Sequence, residues 1–512
     1  MTWGEEHPSG AVLGRRTVLA AAVGGGVALL GGFGVQRLRG AASHTTTPGG
    51  HIGPAVSIDA SAAARVEAAR ARSGRTTAVD LVARRSTVDL GGTTVEALTY
   101  GGELPGPTVR LRAGDLARVS ISNQLDGETS VHWHGLALRH DADGVPGVTG
   151  PAIAAGSRTE VSFVVPDPGT YWLHPHTGMQ LDWGLSAPVI IDDPQEPGRY
   201  DSELVVMLDD WTVGLGKTPE QLFADLTADG GSMSGMGGMG GMGHGGGMND
   251  AGDVAYPAYL ANGRLPTAPR SVAARPGDRV RIRLINAAAD TTFDVALGGH
   301  RLTVTHTDGF PVIPVTVDTL QIAMGERYDV TVTLADGVFP LTALPTGKSG
   351  TAARVLIRTA SGGAPAPGWR PGELTGRRLT LGDLVAADAV RWPDRTPDTE
   401  QAVALAGTMG GGYRWTINGT TYADAEPLTV REGQLTRLRI TNRSMMLHPV
   451  HLHGHTFAVR GVPGSPRKDT VVVPAMAGLD VEVRADNPGA WMLHCHNMFH
   501  MEAGMMTRLD YA

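Results

Sequence analysis

The chain has one cysteine, Cys495, in 512 residues. No intramolecular disulfide can form, and the single thiol is left for other chemistry. Positive charge is also short: 43 Lys and Arg stand against 51 Asp and Glu, a formal net charge of −8. A surface built to bind a polyanion is not expected, which sets nucleic acid aside as a partner. Helical periodicity is scarce after Ala78. One uncharged stretch, Thr17 to Val35, approaches the length of a membrane span.

That stretch follows Arg15-Arg16 and leads to Gly40-Ala41-Ala42, a small-residue cleavage site. Residues 1–42 read as a twin-arginine export signal, and 43–78 as a flexible leader. A single membrane anchor is the alternative, because about 20 apolar residues are enough to cross a bilayer. The many glycines make this stretch only mildly apolar, which favours the signal. No cysteine lies near it, so no lipid anchor is available. Twin-arginine export carries folded proteins. It places the chain in the periplasm, the cell envelope or outside the cell, with no stable membrane insertion once the signal is cut.

The mature chain, about 470 residues, is long enough for two to four domains. Val- and Thr-rich runs broken by Gly and Pro argue β-sandwiches. Self-comparison gives their number. Gly114 to Asn123 to Gly135, Gly277 to Asn286 to Gly298, and Gly433 to Asn442 to Gly454 share one spacing, nine residues and then twelve. The fold expected is all-β, with three consecutive sandwich domains: 79–193, 200–360 and 377–512. A Gly/Pro-rich linker, 361–376, precedes the third.

The repeat organises the histidines. His132 and His134 of the first copy correspond to His451 and His453 of the third, whereas the middle copy has Val295 and Leu297. Pro168-Gly169 followed by His174-Pro175-His176 aligns with Pro488-Gly489 followed by His494-Cys495-His496. Residues two apart on a strand share a face. Eight imidazoles from the outer copies can therefore converge across one interface, more than a single metal needs. In the same frame Cys495 faces Pro175, His500 faces Gln180, Met505 faces Leu185 and His448 faces Thr129. The third copy alone carries this second set. Cys495 points away from its two histidine neighbours, so one strand serves two sites. Imidazole suits copper, zinc, iron or nickel, but a thiolate, two imidazoles and a weak thioether favour copper. The middle copy reads as a spacer that positions the outer two.

His-Trp-His, His-Pro-His, His-Pro-Val-His-Leu-His and His-Cys-His-x3-His-x4-Met, in this order, resemble the four copper motifs of the multicopper oxidases. The similarity covers nearly the whole mature chain and is greatest to three-domain bacterial laccase-like and cuprous-oxidase members. The resemblance implies cupredoxin-like Greek-key sandwiches and four copper ions. It implies His448, Cys495 and His500 as equatorial type 1 ligands, with Met505 axial. It implies His132 and His451 at type 2 copper, His134, His174 and His496 at one type 3 copper, and His176, His453 and His494 at the other. It further implies that electrons from a reductant pass through Cys495 to the histidine cluster, where O2 is reduced to water. Asp143, in Asp-Gly-Val-Pro-Gly, matches the family's acid near type 2 copper. The family's second acid position is Met501 here, and strand alternation points the adjacent Glu502 elsewhere.

Residues 230–249 are a Gly-rich loop with Met233, Met236, Met239 and Met242 at every third position, then His244 and Met248. Such glycine content does not hold a packed helix, and thioethers select Cu(I). Incidental methionines in a linker, or a sacrificial oxidation site, are the alternatives. Just before His448, Met446 fits a second Cu(I) contact, while Ser444 stands where the family's acid would be. The substrate expected is Cu(I), in copper tolerance, with O2 as acceptor. Phenols or aromatic amines (a laccase) come next, then Fe(II). A copper-free structural or copper-storage protein is the non-enzyme alternative. A monomer is expected.

Overall fold

The computed structural model of the chain describes residues 60–196, 198–228, 252–407 and 412–512. The twin-arginine segment and five of the methionines (Met233, Met236, Met239, Met242 and Met248) lie outside the described residues.

Three sandwiches follow one another with a common topology. In the first, strands Thr94–Tyr100, Thr76–Asp89, Leu116–Asn123 and Arg158–Val164 form one sheet in that spatial order. Val109–Arg112, Ala187–Asp192, Gly169–His174 and His132–His134 form the other. The opening strand of each sandwich runs parallel to the strand of the sequence repeat: Thr76–Asp89 beside Leu116–Asn123, Ser202–Trp211 beside Arg279–Asn286, and Thr399–Gly407 beside Leu435–Asn442. Parallel neighbours need a crossover rather than a hairpin, and here the chain crosses to the facing sheet and back.

The repeated residues explain this local structure. Gly114, Gly277 and Gly433 have φ of 84°, 88° and 86°, a left-handed turn that lets the chain enter the central strand. At the other end of that strand the asparagine staples the loop that follows. Asn123 Nδ2 donates to the carbonyls of Gly127 (2.9 Å) and Ile153 (2.8 Å). Asn286 does the same to Thr291 and Ile322, and Asn442 to Met446 and Val473. Each asparagine is buried, so losing these bonds would leave carbonyls unpaired, at about 1–3 kcal/mol each.

Two boundaries differ from the expectation. The segment 43–78 is not flexible to its end. Its Ala-rich part forms the helix Ala60–Ala69, and strand Thr76–Asp89 begins within it. Buried Glu67 holds the helix down by accepting the Val164 amide at 2.6 Å and pairing with Arg70. Residues 361–376 lie on the second sandwich: Arg354 donates to the carbonyls of Pro365 and Ala366, and Glu373 accepts the Gly299 amide. Residues 377–387 continue along it, bridging Thr319 to Arg378 and Val312 to Ala386, and Trp392, Asp394 and Asp398 then meet the third sandwich at Leu435 and Arg460 before strand Thr399–Gly407. Polar side chains on the second sandwich meet this backbone, which the Gly/Pro composition alone did not reveal.

Among the described residues no helix is long and apolar enough to cross a membrane.

Candidate copper centre

Strand Ala490–Cys495 is buried along its whole length and lies between strands Met506–Tyr511 and His448–Leu452. Its alternation sends Cys495 into the core of the third sandwich and His494 toward the first. Cys495 Sγ lies 3.5 Å from His448 Nδ1 and 3.7 Å from His500 Nδ1, and the two Nδ1 atoms are 3.1 Å apart. All three residues are fully buried. Met505 is buried in the same core cluster, and its backbone bonds both Cys495 and His500. Two lone-pair nitrogens and a sulfur thus converge where only a cation would relieve their mutual repulsion.

The outer nitrogens of these histidines are anchored. His448 Nε2 is bonded to Ser444 Oγ at 2.7 Å. His500 Nε2 is bonded to Asp253 Oδ2 at 2.7 Å, and the Tyr413 hydroxyl donates to the same oxygen at 2.5 Å. Trp415 stacks on His500 with ring centroids 3.9 Å apart. Anchoring Nε2–H fixes the tautomer that turns the Nδ1 lone pair inward. Burial pushes the His500 pKa down, but Asp253 and then Cys495 reverse this and carry it up to about 10, so the pocket favours a positive charge between ring and sulfur, a proton when no metal takes that place. Among the described residues His448 has no carboxylate partner, and burial together with His500 holds it well below the usual range. The missing acid at Ser444 is thus matched by an acid on the other histidine. Asp253 has no counterpart in the repeat, and its only sequence signal is its place directly after the Met-rich stretch.

The eight remaining histidines meet between the first and third sandwiches. His132 pairs in register with His174, and His451 with His494. His132 stacks on His453 and His134 on His451, each with centroids 3.8 Å apart. His453 Nε2 is 3.1 Å from His494 Nε2, and His496 Nε2 is 3.2 Å from His134 Nδ1. His134, His174 and His496 form one group able to hold a metal. His176, His453 and His494 form another, and His132 and His451 share a third with His134. His132 also groups with His174 and His176, so the eight rings form overlapping sets in one cluster.

Copper suits this donor set. Burial pushes His134, His174, His176, His453 and His496 well below the usual range, and His494 to about 3. A neutral imidazole is the form that donates a lone pair. Nε2 of His132, His174, His176 and His451 is buried without a hydrogen-bond partner. Each such atom costs about 1–3 kcal/mol unless something binds it. Their Nδ1 atoms are secured where the bonds are seen: His132 to Asp143 O, His174 to Pro175 O and His451 to Asp469 O.

Asp143 is buried at the cluster. Its Oδ2 accepts from His453 Nδ1 at 3.0 Å, while Oδ1 has no hydrogen-bond partner. Glu502 is not on a strand. It closes the short helix Met498–Glu502, so the alternation used to orient it does not apply. Burial alone raises its carboxyl to about 7. Met446 is half-buried against the core around Cys495.

Asp253 is bonded to a histidine of the Cys495 site, and replacing it tests whether that bond serves electron transfer. In Asp253→Asn, turnover with a small reductant should fall by about 10–100-fold, the usual effect of losing a partner to a metal-binding histidine. The blue absorption of the Cys495 site should remain. Unchanged turnover would remove Asp253 from electron entry.

Models of multicopper oxidase domains match residues 82–196, 202–361 and 394–512. The multicopper oxidase MmcO of Mycobacterium tuberculosis is 48% identical over 503 residues, 97% of this chain and 96% of that protein. A copper resistance protein A homolog of Pseudomonas syringae is 29% identical, covering 85% of this chain and 92% of the relative. The crystal structure of a laccase from Botrytis aclada superposes with a TM-score of 0.71 at 25% identity, over 87% of this chain and 89% of that one. Three matched domains and one relative aligned nearly end to end leave a single assignment: the chain belongs to the multicopper oxidases, copper-dependent oxidoreductases that use O2.

Proposed function

We propose that this oxidase takes Cu(I) as its reductant, in copper tolerance, and holds four coppers, one at Cys495 and three at the histidine cluster. The reaction balances as four Cu(I), one O2 and four protons giving four Cu(II) and two waters. Bound copper supplies the one-electron chemistry and the reduction of O2.

The chain's residues do the rest. His448, Cys495, His500 and Met505 form the electron-accepting site, and Asp253 and Ser444 hold its rings. Peptide bonds join Cys495 to His494 and His496, the shortest covalent path to the cluster. Asp143 orients His453 and is the acid assigned here to proton relay. Met501 stands where the resemblance would put a second acid, so Asp143 is the one proton donor assigned.

One observation carries the Cu(I) reading: described residues on either side of the Met-rich sequence, Phe223 and Asp253, lie at or beside the Cys495 site. The segment leaves from helix Pro219–Thr227, whose Phe223 packs on Phe499 with centroids 6.5 Å apart, next to His500. It returns just before Asp253, which bonds His500 itself. Thioethers are soft ligands that select Cu(I), and ligands carried on the same chain as the oxidising site act at a raised effective concentration. The copper resistance name of one relative points the same way. Twin-arginine export, with the copper-loaded chain acting beyond the cytoplasmic membrane as a monomer, completes this reading.

Replacing Met233, Met236, Met239, Met242 and Met248 by serine tests it. Cu(I) oxidation at low copper should fall about tenfold, within the range expected for lost effective concentration, while turnover of a phenolic dye holds. Equal loss of both, or loss of neither, would sink the capture role.

A laccase acting on phenols or aromatic amines is the second reading. The similarity to a laccase structure favours it, as do Met445 and Met476, 60% and 59% exposed beside Ser444, which give organic molecules an apolar rim near His448. Strong phenol turnover with no added copper would decide for it. Fe(II) is a lesser option that Asp253 keeps open.

A further inference from the structure

The middle sandwich carries Val295 and Leu297 where the outer copies carry histidines, yet one of its turns reaches the histidine cluster. Gly325 has φ of 83°, and a Cβ placed there would lie 2.8 Å from His496 Cδ2 and 3.0 Å from His134 Cε1. Its amide is bonded to Asn286 O, and the turn is closed by Glu326 accepting the Ala323 amide at 2.9 Å. Two residues on, Arg327 is fully buried and bonded to all three sandwiches. Nε donates to Thr170 O on the strand that ends in His174 (3.1 Å), and Nη1 donates to Gly325 O (3.0 Å). Both Nη atoms clasp the Asp469 carboxylate of the third sandwich, at 2.7 and 2.5 Å.

Asp469 is the link to the histidines. Its carbonyl accepts from His451 Nδ1 at 2.9 Å, and its Oδ1 lies 3.3 Å from His134 Nε2. Thr470 Oγ1 donates to Asp469 Oδ1 at 2.9 Å, and stands 3.2 Å from His134 Nε2 and 3.1 Å from His451 Nδ1. The middle sandwich also grips this segment from behind. Asp308 accepts the amides of Asp469 and Thr470, and Lys468 Nζ is bonded to Thr307, Asp308 and Glu326. Gly135 of the first sandwich leaves room for the ion pair: a Cβ there would come within 2.7 Å of Asp469 Oδ2.

We infer that the copper-free middle sandwich sets the geometry of the histidine cluster. Arg327 is a positioning residue acting through Asp469 on His134 and His451, and Gly325 is the wall that seats His134 and His496. A buried carboxylate beside neutral imidazoles persists only when it is fully paired, and the planar fork of arginine fixes it in one orientation as an ammonium would not. With Asp469 fixed, His451 keeps its proton on Nδ1 and its Nε2 free for metal. The Cys495 site, on the opposite face of strand Ala490–Cys495, is outside this grip. The inference rests on the histidine cluster being a copper site, not on Cu(I) as substrate.

The test compares the copper-loaded wild type with Arg327→Gln, Arg327→Lys, Thr470→Val and Gly325→Ala. Copper per chain is measured against a graded chelator. Type 2 copper is read by electron paramagnetic resonance, type 3 by its near-ultraviolet band, and the Cys495 site by its blue absorption. Arg327→Gln should release cluster copper at 10–100-fold weaker chelation with the blue band intact, and Arg327→Lys should recover only a minor part. Thr470→Val, which keeps the ion pair, and Gly325→Ala should show the same selective loss, and they carry the test if Arg327→Gln does not fold. Cluster copper at wild-type affinity in Thr470→Val and Gly325→Ala would overturn the inference. So would parallel loss of blue and cluster signals in the folded variants. A wild type without cluster copper would overturn the copper assignment along with it.

Discussion

Cys495→Ser abolishes the intense blue absorption and brings oxidase turnover to background with every reductant, Cu(I) and phenols alike. The expectation follows from geometry. Cys495 supplies the only sulfur of the chain's one thiol, it lies within 3.7 Å of both histidine nitrogens, and the peptide chain continues from it directly to His494 and His496. A serine hydroxyl is a hard, weakly acidic donor, unsuited to a site selected by softness. The substitution is nearly isosteric, so the fold survives at a cost of about 1–3 kcal/mol for a buried hydroxyl without a firm partner. Type 2 copper, read by electron paramagnetic resonance, should therefore persist in the variant, which separates loss of the electron-entry site from unfolding. Retained turnover would show that electrons reach the cluster by another way and would remove Cys495 from the mechanism.

Much of this centre was legible in the sequence because its geometry is local. Strand alternation alone puts Cys495 and its neighbours on opposite faces. The Gly-to-Asn-to-Gly repeat marks equivalent strands, which brings His132 and His134 into correspondence with His451 and His453. What escaped reading depends on contacts between segments far apart in the chain. Asp253 meets His500 across 247 residues and Arg327 meets Asp469 across 142, and neither Asp253, Arg327 nor Asp469 lies in a motif. Such pairs are set by how the sandwiches dock, which no periodicity reports. Glu502 was misread for a simpler reason. The chain leaves the strand after Cys495, where Asn497 caps a helical turn by accepting the amides of Phe499 and His500, and strand alternation stops there. That same turn swings His500 back toward Cys495. The cap residue is visible in the sequence, since asparagine is a favoured N-cap, but a five-residue helix gives too little periodicity to be recognised.

Asp143→Asn should slow reoxidation of the reduced enzyme by O2 by about 10²-fold, the lower end of what a positioned proton donor contributes, while reduction of the Cys495 site by substrate keeps its rate. The carboxylate is 1% exposed, one oxygen is bonded to His453 and the other has no hydrogen-bond partner. An amide can still accept from His453 Nδ1, so the ring and its copper stay in place. What is lost is a titratable group able to pass a proton to reduced oxygen. Asp143→Ala removes the acceptor as well and should add loss of cluster copper, seen as a weaker type 2 resonance. The contrast between the two variants separates proton supply from ring positioning. If Asn and Ala are equally slow and both have lost copper, Asp143 only holds His453. If Asn reoxidises at the wild-type rate, the protons reach the cluster without it. Glu502, raised to about 7 by burial and displaced from the expected strand, would then be the next side chain to replace.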